Sequence, residues 1–287
     1  MIRFSAPSKI NLFLNVFAER PDGYHELDTV FYPLRSPADL IGLDFPEDRT
    51  EGIVIRCEDP GVPADPGKNL CGRAVTAYCR AAEIPVPAID IFLEKTIPCA
   101  GGMGGGSSDA AAILLRLNER FRRLSPDTLA EVALSLGADV PFFLNPVPSR
   151  AQGTGEKITP LPRLPETLPL LLAAPDFPVS ARWAYEHWTP DAALPDGHAE
   201  RLAEALGKND LAGAARFVGN SLSAPLFRKF PLLRNLKDSF LENGALCSEI
   251  SGSGPTVFAL FPDTASAETA FGILSAAFPP VRFLRGV

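Results

Sequence analysis

Pro98 to Asn118 reads PCAGGMGGGSSDAAAILLRLN, five glycines set against two serines where an apolar helix begins. Gly101, Gly102, Gly104, Gly105 and Gly106 let backbone N–H groups converge on a ligand with no side chain in the way, and they tolerate the positive φ of a concave turn. Ser107 or Ser108 is placed to cap the helix and Asp109 falls in its first turn. Ala110 to Leu117 is apolar on nearly every side, which predicts a buried helix with its N-terminus aimed at the loop. Unpaired amides and the helix dipole favour an anion there, so the stretch predicts a phosphate cradle. Upstream, Ala88 to Ile97 puts Ile89, Ile91 and Leu93 on one face of a strand, giving a strand, glycine loop and helix in succession. The alternative is a glycine turn that only packs helix against sheet, a use that rarely needs this many glycines followed by paired hydroxyls.

Two better-known glycine loops do not fit. From Gly101 the chain reads G-x-x-x-x-G-S-S, with Ser107 where a P-loop carries its lysine. No register gives the dinucleotide pattern G-x-G-x-x-G, because Ser107 and Asp109 stand where the third glycine is needed.

A chain of 287 residues suits two domains. The Pro-rich passage from Pro146 to Pro169 shifts composition and places a boundary in or beside it, so residues 1–155 and 156–287 are the expected domains. A net charge of −7 argues against a nucleic-acid or membrane-surface partner, while small phosphorylated ligands stay open to a local loop. The five cysteines are odd in number and lack C-x-x-C spacing, which indicates thiols in a reducing cytoplasm rather than disulfides or zinc. The apolar run Ile10 to Ala18 is interrupted by Asn11 and Asn15, and no stretch is long enough to span a bilayer; the expectation is a soluble, cytoplasmic protein.

Ile10 to Phe17, Ile53 to Cys57 and Thr256 to Phe261 read as strands. Asn69 to Glu83 reads as an amphipathic helix, and a second follows with Ser125 as its cap, Pro126 first and Gly137 last. Further helices fall near His198 to Leu206, Leu211 to Val218, Pro231 to Asn243 and Ala265 to Phe278, and the mixture predicts an α+β class.

Asp139 follows the Gly137 stop and precedes Val140, Pro141, Phe142 and Phe143; an apolar setting suits a general base, and capping of the next turn is the alternative. Lys9 lies beside an apolar strand with Asn11 on the same face, placed either to pair with Asp139 and face a phosphate or to snorkel at the surface. Pro21-Asp22-Gly23 is turn chemistry that displays Tyr24 and His25 together, a pair able to stack on a base and read its edge, or else to pack under the loop. Ser251 to Pro255 is a second glycine turn, leading into a strand.

Taken in order, APSKINLFLNV at Ala6 to Val16, RPDGYHELDTVF at Arg20 to Phe31, PCAGGMGGGSSDAA at Pro98 to Ala111, LGADVPFFL at Leu136 to Leu144 and SGSGPTVFALF at Ser251 to Phe261 resemble the GHMP kinase superfamily. PDGYHE resembles most its branch that phosphorylates 4-diphosphocytidyl-2-C-methyl-D-erythritol in the non-mevalonate isoprenoid route. The resemblance implies an N-terminal ribosomal-protein-like α+β domain, a C-terminal ferredoxin-like domain and an active site between them. It implies ATP with Mg²⁺, Asp139 as catalytic base, Lys9 beside it, and Gly101 to Ser108 as the ATP phosphate loop, with Asn69 and Lys95 near the adenosine. For the acceptor it implies Asn11 at the methylerythritol end, Tyr24 and His25 on the cytosine, Tyr185 as the other clamp aromatic, and the backbone of Thr154 against the cytidine. No acidic residue presents itself as an obvious partner of Ser107 or Ser108, so the metal ligands are left unassigned. A homoserine or mevalonate type of GHMP kinase and a non-catalytic nucleotide-binding module are the alternatives.

Overall fold

The structure, a computed structural model, describes residues 1–21 and 23–286; Asp22 of the Pro-Asp-Gly turn lies outside the described residues. In chain order the elements are β1 (Ile2–Glu19), β2 (His25–Asp44), β3 (Ile53–Cys57), α1 (Leu70–Ala81), β4 (Ile89–Glu94), α2 (Gly105–Phe121), α3 (Pro126–Leu136), β5 (Ser149–Gly153), β6 (Lys157–Pro160) and β7 (Leu170–Ala174). They continue with α4 (Ala181–Glu186), α5 (His198–Gly207), α6 (Leu211–Ala215), β8 (Gly219–Asn220), α7 (Ser223–Lys229), α8 (Pro231–Glu242), β9 (Cys247–Ile250), β10 (Val257–Leu260), α9 (Thr264–Ala277) and β11 (Arg282–Gly286). The class is α+β. Two compact units are present, one of Met1–Ser8, Ala38–Cys99 and Gly104–Pro146, the other of Lys9–Pro37, Ala100–Met103 and Val147–Val287. They interleave along the chain because β1 and β2 each contribute residues to both, and the last change of unit falls at the start of the Pro-rich passage.

In the first unit Leu40 to Asp44 of β2 pair antiparallel with β4, and β4 pairs parallel with β3, Ile53 opposite Ile89. In the same unit α1 packs on α2 and α3, and α2 on α3. Asn69 caps α1 by accepting from Cys71 N, Ser125 caps α3 by accepting from Thr128 N, and Pro126 takes the first helical position. Ala110, Ala111, Ile113, Leu114 and Leu117 of α2 are buried, as expected, and each such Ile or Leu contributes roughly 1.5–3 kcal/mol. The start of α2 differs from expectation. Gly104, in the left-handed region at φ 73°, is its cap residue with no side-chain bond, so Ser107 and Ser108 lie inside the first turn and Asp109 one residue beyond it. A glycine there leaves the first amides without a competing side-chain acceptor.

The second unit holds the parallel pair β1 and β8, with Phe13 opposite Gly219, and β2 antiparallel to β5, which pairs with β6. Beside these, a four-stranded antiparallel sheet runs β11-β7-β10-β9. With α8 and α9 its order is β-α-β-β-α-β, the ferredoxin-like arrangement, closed over a core that includes Leu171, Leu233, Phe240, Val257 and Phe283. Two strands escape a local reading. Pro33 and Pro37 interrupt β2 although Val30, Phe31, Tyr32 and Leu34 are buried, and β7 is an unbroken apolar run of five immediately after the Pro-rich passage. The helix expected over Leu211 to Val218 ends at Ala215.

Candidate active site

The expected site residues divide between the units: Asn69, Lys95, Gly104, Gly105, Gly106, Ser107, Ser108 and Asp139 belong to the first, and Lys9, Asn11, Tyr24, His25, Gly101, Gly102, Thr154 and Tyr185 to the second.

In the second unit Lys9 is 4% exposed, a buried lysine rather than a snorkelling one. Its Nζ donates to Asn11 Oδ1 at 2.6 Å and sits 5.0 Å from the Phe31 ring centroid. Asn11 Nδ2 donates to Thr29 Oγ1 at 2.8 Å, and Thr29 Oγ1 donates to Phe13 O, so strand neighbours fix the Asn11 rotamer. Three backbone segments meet here. Lys9 N donates to Met103 O, Thr256 N to Gly101 O, and Ser251 Oγ both donates to Gly102 O at 2.9 Å and accepts from Asn11 N. A Cβ on Gly102 would lie 2.1 Å from Ser251 O, at a φ of +76°, so only glycine fits. Ser251 positions the loop and Thr29 positions Asn11, and neither carries a local signal in the sequence: Ser251 and Gly102 are 149 residues apart.

In the first unit the loop continues into α2 through the left-handed cap residue Gly104. Ser108 Oγ and Asp109 Oδ1 are buried with no hydrogen-bond partner among the described residues. The Lys95 side chain is 6% exposed and pairs with both Asp39 and Asp109. Burial alone would lower its pKa, but the two carboxylates overcome this and hold it above the ordinary lysine value. Burial, with Asp39 adding and Lys95 opposing, pushes Asp109 up to about 7. Asn69 is likewise engaged: Oδ1 caps α1 and Nδ2 donates to Pro63 O. A cleft of about 690 Å³ between the β3 and β4 ends is lined by Arg56, Asp59, Phe92, Lys95 and Thr96 among others, a size that admits a nucleoside. Asp139 is half-buried in the turn between α3 and the 3-10 turn Pro141–Leu144, beside the buried Val140, Phe142 and Phe143. The cap residue of that turn is Val140.

A pocket of about 370 Å³ in the second unit is lined by Phe17, Gly23, His25, Tyr185 and Trp188 among others. The His25 ring lies 5.5 Å from Tyr185 and 5.7 Å from Trp188, which meets it edge to face. Ser180 caps the short α4 that carries Tyr185. Trp188, just past α4, has no signal in the sequence, because a lone tryptophan in a His-Trp pair carries no periodicity. Tyr24 is 65% exposed at the pocket's turn. Thr154 donates from both N and Oγ1 to Glu156 Oε2, at 2.6 and 2.9 Å.

A glycine loop leading into an uncapped buried helix, in an α+β chain with a ferredoxin-like half, defines a class. Residues 69–145 match the family described as GHMP kinases N terminal domain, and residues 202–280 the one described as GHMP kinases C terminal, so the class is the GHMP kinases. The 4-diphosphocytidyl-2-C-methyl-D-erythritol kinase of Nitratidesulfovibrio vulgaris is 39% identical over 272 residues, covering 92% of this chain and 91% of that one. A solved crystal structure of 4-(cytidine 5'-diphospho)-2C-methyl-D-erythritol kinase superposes with a TM-score of 0.82 at 34% identity over the whole of both chains. The chain belongs to the 4-diphosphocytidyl-2-C-methyl-D-erythritol kinase family. A homoserine kinase from Cytophaga hutchinsonii, at 20% identity and a TM-score of 0.77 over 100% of this chain and 94% of that one, shares the fold.

Proposed function

We propose that this chain transfers the γ-phosphoryl group of ATP to the 2-hydroxyl of 4-diphosphocytidyl-2-C-methyl-D-erythritol, giving the 2-phosphate and ADP in non-mevalonate isoprenoid synthesis. The observation that carries the acceptor assignment is the aromatic pocket built on the Gly23-Tyr24-His25 turn, where His25, Tyr185 and Trp188 offer ring faces and one imidazole edge. A homoserine or mevalonate acceptor gives such a pocket nothing to hold.

Phosphoryl transfer asks for positioning and charge stabilisation more than covalent help. In this reading the amides of Gly101 to Gly106 and the N-terminus of α2 hold the ATP phosphates, with Ser107 and Ser108 beside them. The cleft lined by Lys95 takes the adenosine, and Asn69 shapes it by capping α1. Asp139 takes the proton of the attacking hydroxyl as the new P–O bond forms and the bond to ADP breaks. Lys9 supplies positive charge, oriented by Asn11. Tyr24, His25 and Tyr185 grip the cytosine, and the Thr154 backbone borders the cytidine. Mg²⁺ supplies charge neutralisation on the triphosphate. Among the described residues no group of three His, Cys, Asp or Glu is placed to cage a metal. The ATP side is assigned to residues 1–155 and the C-terminal kinase half to 156–287; five free cysteines fit a cytoplasmic setting.

The test is coupled ADP release from purified protein with Mg-ATP and, in turn, the cytidylated acceptor, homoserine, mevalonate or none. Turnover with the cytidylated acceptor alone is expected. Turnover with another acceptor keeps the class and removes the cytosine pocket, and no turnover by folded protein removes the kinase reading. Asp139→Asn is expected to lower kcat by about 10²–10⁴ with little change in either KM.

A further inference from the structure

Asp39 on β2 is 1% exposed, where a carboxylate is tolerated only if its charge is fully engaged. Its Oδ1 accepts from two consecutive amides, Thr96 N at 2.6 Å and Ile97 N at 2.8 Å. Its Oδ2 accepts from Lys95 Nζ, and the same ammonium donates onward to Asp109 Oδ2 at 2.6 Å. These contacts bracket the glycine loop. Thr96 and Ile97 immediately precede Pro98, and Asp109 lies on α2 just beyond the glycines. Ile97 and Asp39 also close on the loop's far end, because a Cβ on Gly105 would come 3.0 Å from Ile97 Cγ2 and 3.4 Å from Asp39 Oδ2.

We propose that Asp39 is a positioning residue for the ATP phosphates, fixing the start of the glycine loop directly and its helical end through Lys95 and Asp109. The proposal rests on the reading of that loop as the ATP site. Lys95 is then a strut rather than a phosphate ligand: its ammonium is buried and two of its three donors are held by carboxylates. Buried ion pairs of this kind add little net stability, since desolvation offsets attraction, so their effect is expected in geometry. Loop amides work only when they converge on the phosphates, and a displacement of about 1 Å in such a constellation can cost about 100-fold in rate.

Asp39→Asn and Lys95→Met, assayed as the full chain with circular dichroism to monitor folding, test this. The wild type is measured first; failure to bind or use ATP removes the loop reading itself, independently of Asp39. Given a working wild type, each variant is expected to raise the ATP KM about tenfold or more and leave the acceptor KM within about twofold. The double variant should be no worse than the more damaged single one, because both break the same connection. An unchanged ATP KM in a folded variant, or both KMs rising together, overturns the proposal. If Asp39→Asn does not fold, Asp109→Asn, which breaks the same connection away from the cleft that Lys95 lines, decides alone; if neither folds, the connection serves overall stability and the proposal is overturned.

Discussion

Asp109 couples a loop for anions to a buried carboxylate, and the consequence is a pH dependence of stability. Burial, together with Asp39 on the same ammonium, raises it to about 7 against the pull of Lys95. A carboxyl raised in the fold keeps a proton that the unfolded chain has released, so stability falls as pH rises from the ordinary aspartate value near 4 to about 7, then levels off. Lys95 acts elsewhere: held above its ordinary value, its contribution is complete below about pH 10 and lost only in alkali. The melting temperature is therefore expected to decline between about pH 5 and 7, and Asp109→Asn to flatten that decline; an equally steep decline in the variant would assign it to other groups. Trp188 is a separate case. Its ring meets His25 edge to face, so Trp188→Leu, which keeps an apolar side chain, should raise the acceptor KM about tenfold and leave the ATP KM unchanged. Equal changes in both constants would make Trp188 a packing residue only.

At the scale of elements, what could be read from the sequence is what is written locally. The caps Asn69 and Ser125, the Pro126 start and the alternation of Ile89, Ile91 and Leu93 each lie inside the segment they organise, and α1, α3 and β4 formed as expected. β2 was illegible because Pro33 and Pro37 punctuate it, while partners far along the chain, β4 and β5, make it a strand. The same limit hid half the site. Lys9 and Asn11 sit two residues apart and share a face by strand geometry, whereas Asp39 with Thr96, and Ser251 with Gly102, are joined only by folding. The glycine loop itself shows how local and distant demands combine. Gly102 has φ +76° and faces Ser251 O, but Gly106 meets only Leu70 Cδ1 at 3.4 Å. Gly102→Ala must adopt a conformation costing about 1–2 kcal/mol and also displace the Ser251 turn, so both stability and ATP binding should fall, the ATP KM at least tenfold. Gly106→Ala should leave the melting temperature unchanged or higher, since alanine favours a helix. Thermal melts of the two variants side by side read the difference.

For the molecule as a whole, the chain carries a net charge of −7 yet is assigned two polyanionic ligands. Its general field repels them, so attraction must come from short-range features: loop amides, the α2 N-terminus and Lys9, all effective within about one Debye length, roughly 8 Å at physiological salt. Binding and chemistry should then separate. A ligand held only by the folded chain at 100 times its Kd stabilises by about 2.7 kcal/mol, which for a chain of this size is a rise of roughly 5 °C. Mg-ADP and a cytidine diphosphate should each raise the melting temperature of the wild type, through the glycine loop and the His25 pocket respectively. Asp139 enters only when a proton moves, so Asp139→Asn should keep both rises while losing turnover. If the variant loses the shifts as well, Asp139 organises the site rather than accepting a proton, and the base must be sought elsewhere.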